Sequence, residues 1–157
     1  MIKQCIQGLF RSAQKSVSYS STFFFLNKMN YSKVELKMTE MNEKEFDDQV
    51  IKFSKDFPVV ANYFTTWCGP CRILNPILAE KLKTITDFDL RFVEIDMEKF
   101  ADVGHDQGVE AIPHVILYYK GKKQPKASFV GLQSDEILNE FILNIRKVKL
   151  EEDGKKD

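Results

Sequence analysis

Two cysteines separated by two residues, Cys68 and Cys71, are the part of this sequence best suited to chemistry. A thiolate attacks a disulfide sulfur, and a second thiol three positions later can then displace the attacked group by closing a new disulfide. Cys68 stands just before a predicted helix, where unpaired backbone N–H groups and the helix dipole favour the thiolate and should lower the thiol pKa. The spacing therefore predicts dithiol–disulfide exchange, with Cys68 as the nucleophile and Cys71 as the resolving thiol.

The residues between the two cysteines are Gly69 and Pro70. Proline lacks an N–H group and fixes its own φ, so Pro70 should restrain the loop between the sulfurs. The other interpretation of a Cys-x-x-Cys pair is half of a zinc site. The chain has one further cysteine, Cys5, and no second pair, so we expect no metal site.

Two histidines complete the set of possible nitrogen ligands. His105 lies in a weakly helical segment, and His114 lies in a predicted loop. We interpret both as solvated residues without a catalytic role.

The pattern around the pair predicts alternating strands and helices. The apolar run at residues 58–64 suits a strand buried on both faces, and a helical stripe that contains Pro76 follows the cysteines. Further strands are predicted at residues 34–38, 90–96, 115–119 and 127–130, and further helices at residues 42–56, 98–107 and from Asp135 onward. The order β-α-β-α-β-α-β-β-α indicates an α/β fold, with a central mixed β-sheet flanked by helices on both faces.

Composition limits the classes of function. The chain has 157 residues, suited to one domain, and its 43% hydrophobic content excludes disorder of the whole chain. The 23 basic and 23 acidic residues balance, which removes the electrostatic argument for nucleic-acid binding. No run approaches the roughly 20 apolar residues of a transmembrane helix, so we expect no transmembrane segment.

Residues 1–33 differ from the rest of the chain. They hold six Ser and five basic residues but no acidic residue, and their apolar side chains follow a helical spacing. This composition is typical of organellar targeting peptides and predicts import into the mitochondrion, specifically the matrix. A plastid, or a cytoplasmic protein with a retained N-terminal arm, is the alternative. We expect the folded domain at residues 34–149 and a charged tail at residues 150–157, frayed from Glu151 onward.

The segment from Trp67 to Arg72, with Pro76 five residues after the second cysteine, resembles thioredoxin. The resemblance extends over about residues 34–149, because Ile112-Pro113 matches the family's cis-proline and Gly121 and Gly131 match its two late glycines.

The resemblance implies the thioredoxin fold and protein-disulfide reductase activity that maintains redox homeostasis. The active group would be the Cys68–Cys71 disulfide, with no bound cofactor. Disulfide-containing proteins would be the substrates, and a flavin- and NADPH-dependent thioredoxin reductase the partner. Trp67 would lie over the disulfide, and Ile112 and Pro113 would bind substrate by pairing with an extended peptide.

Asn62 departs from the family, which usually has a buried Asp six residues before the first cysteine. An amide cannot exchange a proton near neutral pH, so Asn62 can hydrogen-bond the site but cannot act as its base. The protein would then be a slower thioredoxin, or Asn62 would be merely a tolerated buried polar residue. A third possibility is a thioredoxin-fold accessory subunit of a larger mitochondrial assembly, for example of the respiratory chain, with dispensable redox activity.

Overall fold

The computed structural model describes residues 35–38 and 43–155, which form a mixed five-stranded sheet with helices on both faces. The strands are β1 (Glu35–Met38), β2 (Val59–Phe64), β3 (Arg91–Asp96), β4 (His114–Tyr119) and β5 (Lys122–Val130). They lie in the order β1-β3-β2-β4-β5. The β1–β3 and β2–β3 pairs are parallel, whereas the β2–β4 and β4–β5 pairs are antiparallel. The predicted mixed sheet is confirmed, and β2 is its central strand.

Among the described residues, four α-helical segments connect or follow the strands. They are α1 (Glu43–Phe46), α2 (Gly69–Leu82), α3 (Ala101–Asp106) and α4 (Asp135–Asp153). After α1 the chain continues as a π-helix (Asp47–Lys52) and a short 3₁₀ turn (Phe53–Lys55), which the sequence pattern did not distinguish from an ordinary helix. The element order β-α-β-α-β-α-β-β-α is confirmed.

Each face of the sheet covers its own hydrophobic core. Side chains alternate between the faces along a strand, so Val60 contributes to one core, whereas Val59 and Ala61 contribute to the other. The first core is closed by buried residues of α2 and α4, and the second by residues of α1, the π-helix and α3. Asn62, two residues after Val60, therefore lies on the α2 side of the sheet.

Three predicted boundaries were wrong. The last strand begins at Lys122 rather than residue 127, and it includes Pro125, which an edge strand tolerates because one row of its N–H groups has no partner strand. A tight turn starts this strand, with φ of 55° at Lys120 and 72° at Gly121. Helix α3 begins at Ala101 rather than residue 98, because a turn over residues 97–99 precedes it, and it ends at Asp106 rather than residue 107.

The prediction of a frayed segment at the end of the chain was also wrong for three residues. Helix α4 continues to Asp153, although three consecutive acidic residues near a helix C-terminus oppose the helix dipole. Lysines outside the last turn compensate for this charge. Lys149 and Lys120 contact Asp153 at 2.5 and 3.0 Å, and Lys122 contacts Glu152 at 3.3 Å.

Some predictions lie outside the described residues. They include the targeting segment at residues 1–33 with Cys5, and Asn42 as a helix cap. Within the described part of the chain, no helix is both long enough and apolar enough to cross a membrane.

Asp153→Asn tests whether these ion pairs hold the last turn of α4. The Lys149 ammonium and the Tyr119 hydroxyl hold the pKa of Asp153 well below its usual value. Because the carboxylate is partly exposed and screened by water, we expect the free energy of unfolding to fall by only about 1 kcal/mol or less at pH 7. A depressed carboxyl pKa stabilises the fold above the unfolded pKa, and this contribution is lost as pH falls through the folded pKa.

Urea denaturation should therefore show a difference between variant and parent that is constant above about pH 5 and shrinks below about pH 4. Glu140→Gln, at an exposed position of the same helix, is the matched control and should change stability little at either pH. A difference for Asp153→Asn that persists unchanged at pH 2 would contradict the ion-pair explanation.

Candidate redox site

The cysteine pair lies where the central strand β2 gives way to helix α2. Cys68 is the N-cap residue of α2, with extended φ and ψ of −72° and 108°. Its N–H donates to the Thr65 carbonyl at 3.3 Å, and its own carbonyl accepts from the Arg72 N–H at 3.2 Å. The backbone thus fixes Cys68 on both sides before the side chain is considered.

The two cysteines form a disulfide, with their Cα atoms 5.3 Å apart. The backbone N–H of Cys71 donates to the Cys68 sulfur at 3.2 Å. In the dithiol state, an N–H in this position and the N-terminus of α2 would both stabilise negative charge on the Cys68 sulfur. Pro70 lies in the first turn of α2, where its missing N–H would have had no partner within the helix.

Access to the two sulfurs is unequal. Cys68 keeps 6% of its surface exposed, whereas Cys71 is fully buried. Trp67, immediately before them, is 68% exposed and leaves its ring available to an incoming molecule. A substrate approaching this surface can therefore reach Cys68 but not Cys71. Nothing lies within 4 Å of a Cβ placed on Gly69, so its surroundings do not require glycine there.

The peptide bond between Ile112 and Pro113 is cis, as the resemblance implied. The Pro113 carbonyl accepts a 2.7 Å hydrogen bond from the N–H of Gly131, which has a φ of 84° and follows β5. This bond fixes the loop before β4 to the end of the neighbouring strand. A non-glycine residue would be strained at position 131.

An open groove of about 480 Å³ brings Trp67 and Ile112 together. Sequence reasoning named these two residues. It did not predict the other residues that line the groove, which include Met97, Glu98, His105 and Glu110. Glu98 accepts from the Thr66 hydroxyl at 2.7 Å, and this hydrogen bond lowers the Glu98 pKa. The groove therefore carries negative charge beside the exposed indole.

A hydrogen-bond chain runs below the pair on the α2 side of the sheet. Asn62 is fully buried, and its Nδ2 donates to the Asn75 Oδ1 at 2.9 Å. The Asn75 Nδ2 in turn donates to the Oε1 of buried Glu94 at 2.8 Å. Sequence reasoning missed Asn75 and Glu94, although Asn75 stands one helical turn after Cys71, a spacing that places both on one side of α2.

The two histidines differ in their surroundings. His105 is exposed on α3, consistent with the interpretation as a solvated residue. The solvated-loop interpretation of His114 was wrong, because this residue starts β4 and its Nδ1 is buried without a hydrogen-bond partner among the described residues. Burial, with the nearby Lys123 charge, lowers the His114 pKa.

Within residues 35–38 and 43–155, no group of three or more His, Cys, Asp or Glu side chains is placed to hold a metal ion.

Comparison with known proteins gives consistent matches. The chain matches the thioredoxin family model over residues 37–144. It is 36% identical over 104 residues to thioredoxin Y1, chloroplastic, of Arabidopsis thaliana, covering 66% of this chain and 58% of that protein. It is 29% identical over 106 residues to a thioredoxin of Rickettsia bellii (strain RML369-C), covering 68% and 96% respectively.

Among solved structures, thioredoxin NaTrxh from Nicotiana alata is 25% identical, with a TM-score of 0.59 over 71% of this chain and 93% of that one. The fold is therefore the thioredoxin fold. The chain spans about three fifths of the length of the Arabidopsis protein it matches.

Asn62→Asp tests how strongly the site depends on an amide at this position. A carboxylate cannot donate to the Asn75 Oδ1, and if Asn75 rotated to donate to it, Glu94 would lose the hydrogen bond that Asn75 donates. We expect the free energy of unfolding to fall by about 1 to 3 kcal/mol at pH 8, as for other poorly satisfied buried polar groups. Burial should raise the new carboxyl pKa towards the range useful for proton transfer.

Denaturant melts at pH 4 and pH 8 provide the measurement. A raised carboxyl pKa makes the penalty grow as pH increases from the unfolded pKa of about 3.9 to the folded value, so the loss should be smaller at pH 4. Asn139→Asp, at an exposed position of α4, is the control and should stay within about 0.5 kcal/mol. Equal stability of Asn62→Asp and its parent at pH 8 would contradict the importance of the amide.

Proposed function

Because the chain belongs to the thioredoxin family, we propose that it is a thiol–disulfide oxidoreductase that reduces protein disulfides through Cys68 and Cys71. The observation that supports this proposal is that the two disulfide-bonded cysteines differ in their exposure to solvent. Cys68, at the N-terminus of α2, keeps a small part of its surface exposed, and Cys71, one turn later, is fully buried. A nucleophile that is more accessible than its resolving thiol is the arrangement that sequential disulfide exchange needs.

The reaction starts from the dithiol form. The Cys68 thiolate attacks one sulfur of the substrate disulfide, a mixed disulfide forms, and the other substrate sulfur leaves as a thiolate that takes up a proton. Cys71 then loses its proton and attacks the Cys68 sulfur, which restores the Cys68–Cys71 disulfide and releases the second substrate thiolate, which is also protonated. Two electrons pass from the protein to the substrate, and no bound cofactor takes part.

The substrate would lie along the groove between Trp67 and Ile112. The indole offers a broad apolar surface, and the backbone of Ile112, before cis Pro113, can pair with an extended peptide in the manner of an added strand. After each turnover the disulfide must be reduced again. The family implies thioredoxin reductase as the electron donor, so we propose such an enzyme as the partner.

Exchanging each cysteine for serine tests the two roles. With Cys71→Ser the mixed disulfide forms but nothing resolves it, so covalent adducts with disulfide-containing proteins should accumulate. With Cys68→Ser the described site keeps only the buried Cys71 thiol, so under mild conditions adducts should not exceed those of the double Cys→Ser variant, which retains Cys5. The measurement is non-reducing electrophoresis of affinity-purified variants with and without dithiothreitol, with the double Cys→Ser variant as control. Equal trapping by the two single variants would overturn the assignment.

The alternative function, an accessory subunit of a larger mitochondrial assembly, is motivated by Asn62, which replaces the buried acid of the family. It predicts a different outcome of the same experiment. A subunit with dispensable redox activity would yield no adducts with Cys71→Ser and would elute with its assembly from size-exclusion chromatography of native extract. A free reductase would trap substrates and elute at the size of a small protein.

We further propose that residues 1–33 direct the chain to an organelle, since the segment is basic, Ser-rich and free of acidic residues. This composition suits a mitochondrion or a plastid. The name of the Arabidopsis relative, which is called chloroplastic, favours the plastid. The proposal of the mitochondrial matrix is supported only by the composition of residues 1–33.

A fusion of residues 1–33 to a fluorescent reporter should enter an organelle, and co-localisation with mitochondrial and plastid markers identifies which one. Replacing Lys3, Arg11 and Lys15 by Gln removes most of the positive charge and should leave the control reporter in the cytosol. A cytosolic location for the unaltered fusion would refute the targeting proposal.

A further inference from the structure

The hydrogen-bond chain of Asn62, Asn75 and Glu94 has a defined direction. Asn75 presents its NH₂ group to the Oε1 of Glu94, which accepts the hydrogen bond. Its carbonyl oxygen faces Asn62, which presents its own NH₂ group in turn. The acceptor that Glu94 offers to Asn75 therefore fixes the orientation of both amides, which their shapes alone would leave open.

This orientation leaves one acceptor at the end of the chain. The Asn62 Oδ1 is buried and has no hydrogen-bond partner among the described residues. A buried carbonyl without a donor is costly, and native structures normally pair such a group with a protein donor or an ordered water. The disulfide structure cannot supply one from Cys71, because a sulfur in a disulfide carries no hydrogen.

The reduced protein has such a donor. Cys71 is buried, and Asn75 follows it by one turn on the same side of α2, so Asn62 contacts this side of the helix one turn beyond the resolving thiol. We propose that Glu94 and Asn75 are positioning residues for Cys71, which act through Asn62 to hold an amide oxygen as the acceptor for the Cys71 thiol proton. This inference rests on the proposed function of the pair.

The surroundings of the two sulfurs therefore favour opposite protonation states. The Cys71 N–H points to the Cys68 sulfur and favours its thiolate, whereas an acceptor at Cys71 favours its thiol. Cys71 would therefore stay protonated until the mixed disulfide has formed. Its proton then leaves with solvent or with the departing substrate thiolate, since an amide cannot take it up.

The test measures the Cys71 pKa in the reduced protein by NMR of ¹³Cβ-labelled cysteine, with no substrate present. Asn75→Ala breaks the chain at a partly exposed position, and Glu94→Gln removes the group that sets its direction. Asn75→Ala should lower the Cys71 pKa by about 0.5 to 1, the equivalent of one hydrogen bond. Glu94→Gln should lower it by less, because a Gln side chain can still accept from Asn75 as well as donate to it. Resolution of the mixed disulfide at pH 7 should then be about two- to fourfold faster in Asn75→Ala, because a higher thiolate fraction outweighs a weaker nucleophile.

Removing a nearby negative charge would also lower a thiol pKa, so a double-mutant cycle separates the two causes. If Glu94 acts through the chain, Glu94→Gln should change nothing further in the Asn75→Ala background. If it acts only as a charge, its effect should persist there in full, and the proposal is wrong. Glu94→Asp keeps the charge but shortens the reach to Asn75, so it should lower the pKa as Glu94→Gln does, and it replaces that variant if Glu94→Gln does not fold.

Lys37 is the register neighbour of Glu94 on β1 and is left unchanged in every variant. Glu80→Gln, an exposed position on α2, is the matched control for loss of one negative charge and should leave the Cys71 pKa unchanged. An unaltered pKa in Asn75→Ala would also overturn the proposal. Because the pKa is read without substrate, failure to trap substrates would count against the proposed function and leave this test intact.

Discussion

The placement of Cys68 as the N-cap of α2 is the constraint on which the redox site depends. A residue in that position is held by the last backbone bond of the preceding loop and by the first bond of the helix. It therefore cannot move independently of the sheet and the helix it joins. The same position turns free backbone N–H groups towards the sulfur, so the electrostatic preference for a thiolate is a property of the backbone.

Helix α2 transmits this constraint from the core. Leu74, Leu78 and Leu82 are buried at intervals of four residues and fix the rotation of the helix against the α2 side of the sheet. Burying one such side chain contributes about 1.5 to 3 kcal/mol, so a rotated helix would be much less stable. Cys71 shares this side and is therefore buried, while Cys68, one turn earlier, reaches the surface. Packing thus decides which sulfur a substrate meets.

The polar groups below α2 interrupt an otherwise apolar core. On β2 and β3, Asn62 and Glu94 are register neighbours, and both occupy positions that the alternation along their strands assigns to this face. Burying an amide and a carboxylate there is unfavourable unless each is satisfied. Asn75 accepts a hydrogen bond from the Asn62 amide and donates one to the Glu94 carboxyl group. It lies one helical turn after the resolving cysteine. Burial of these polar groups lowers stability close to the redox site, as is common at functional sites.

Local patterns in the sequence determined the strands, the order of the elements and the cysteine pair, because hydrophobic period and capping act over a few residues. The cis-proline and the importance of position 62 came from family resemblance and not from any local pattern. Contacts between distant segments decided the rest. The acidic end of α4 is helical because lysines from β5 and the preceding turn meet it. His114 is partly buried because β2 and β5 flank it, and Glu94 accepts a hydrogen bond from Asn75, which α2 places beside it. None of these partners lies near in sequence, so only the tertiary structure could bring them together.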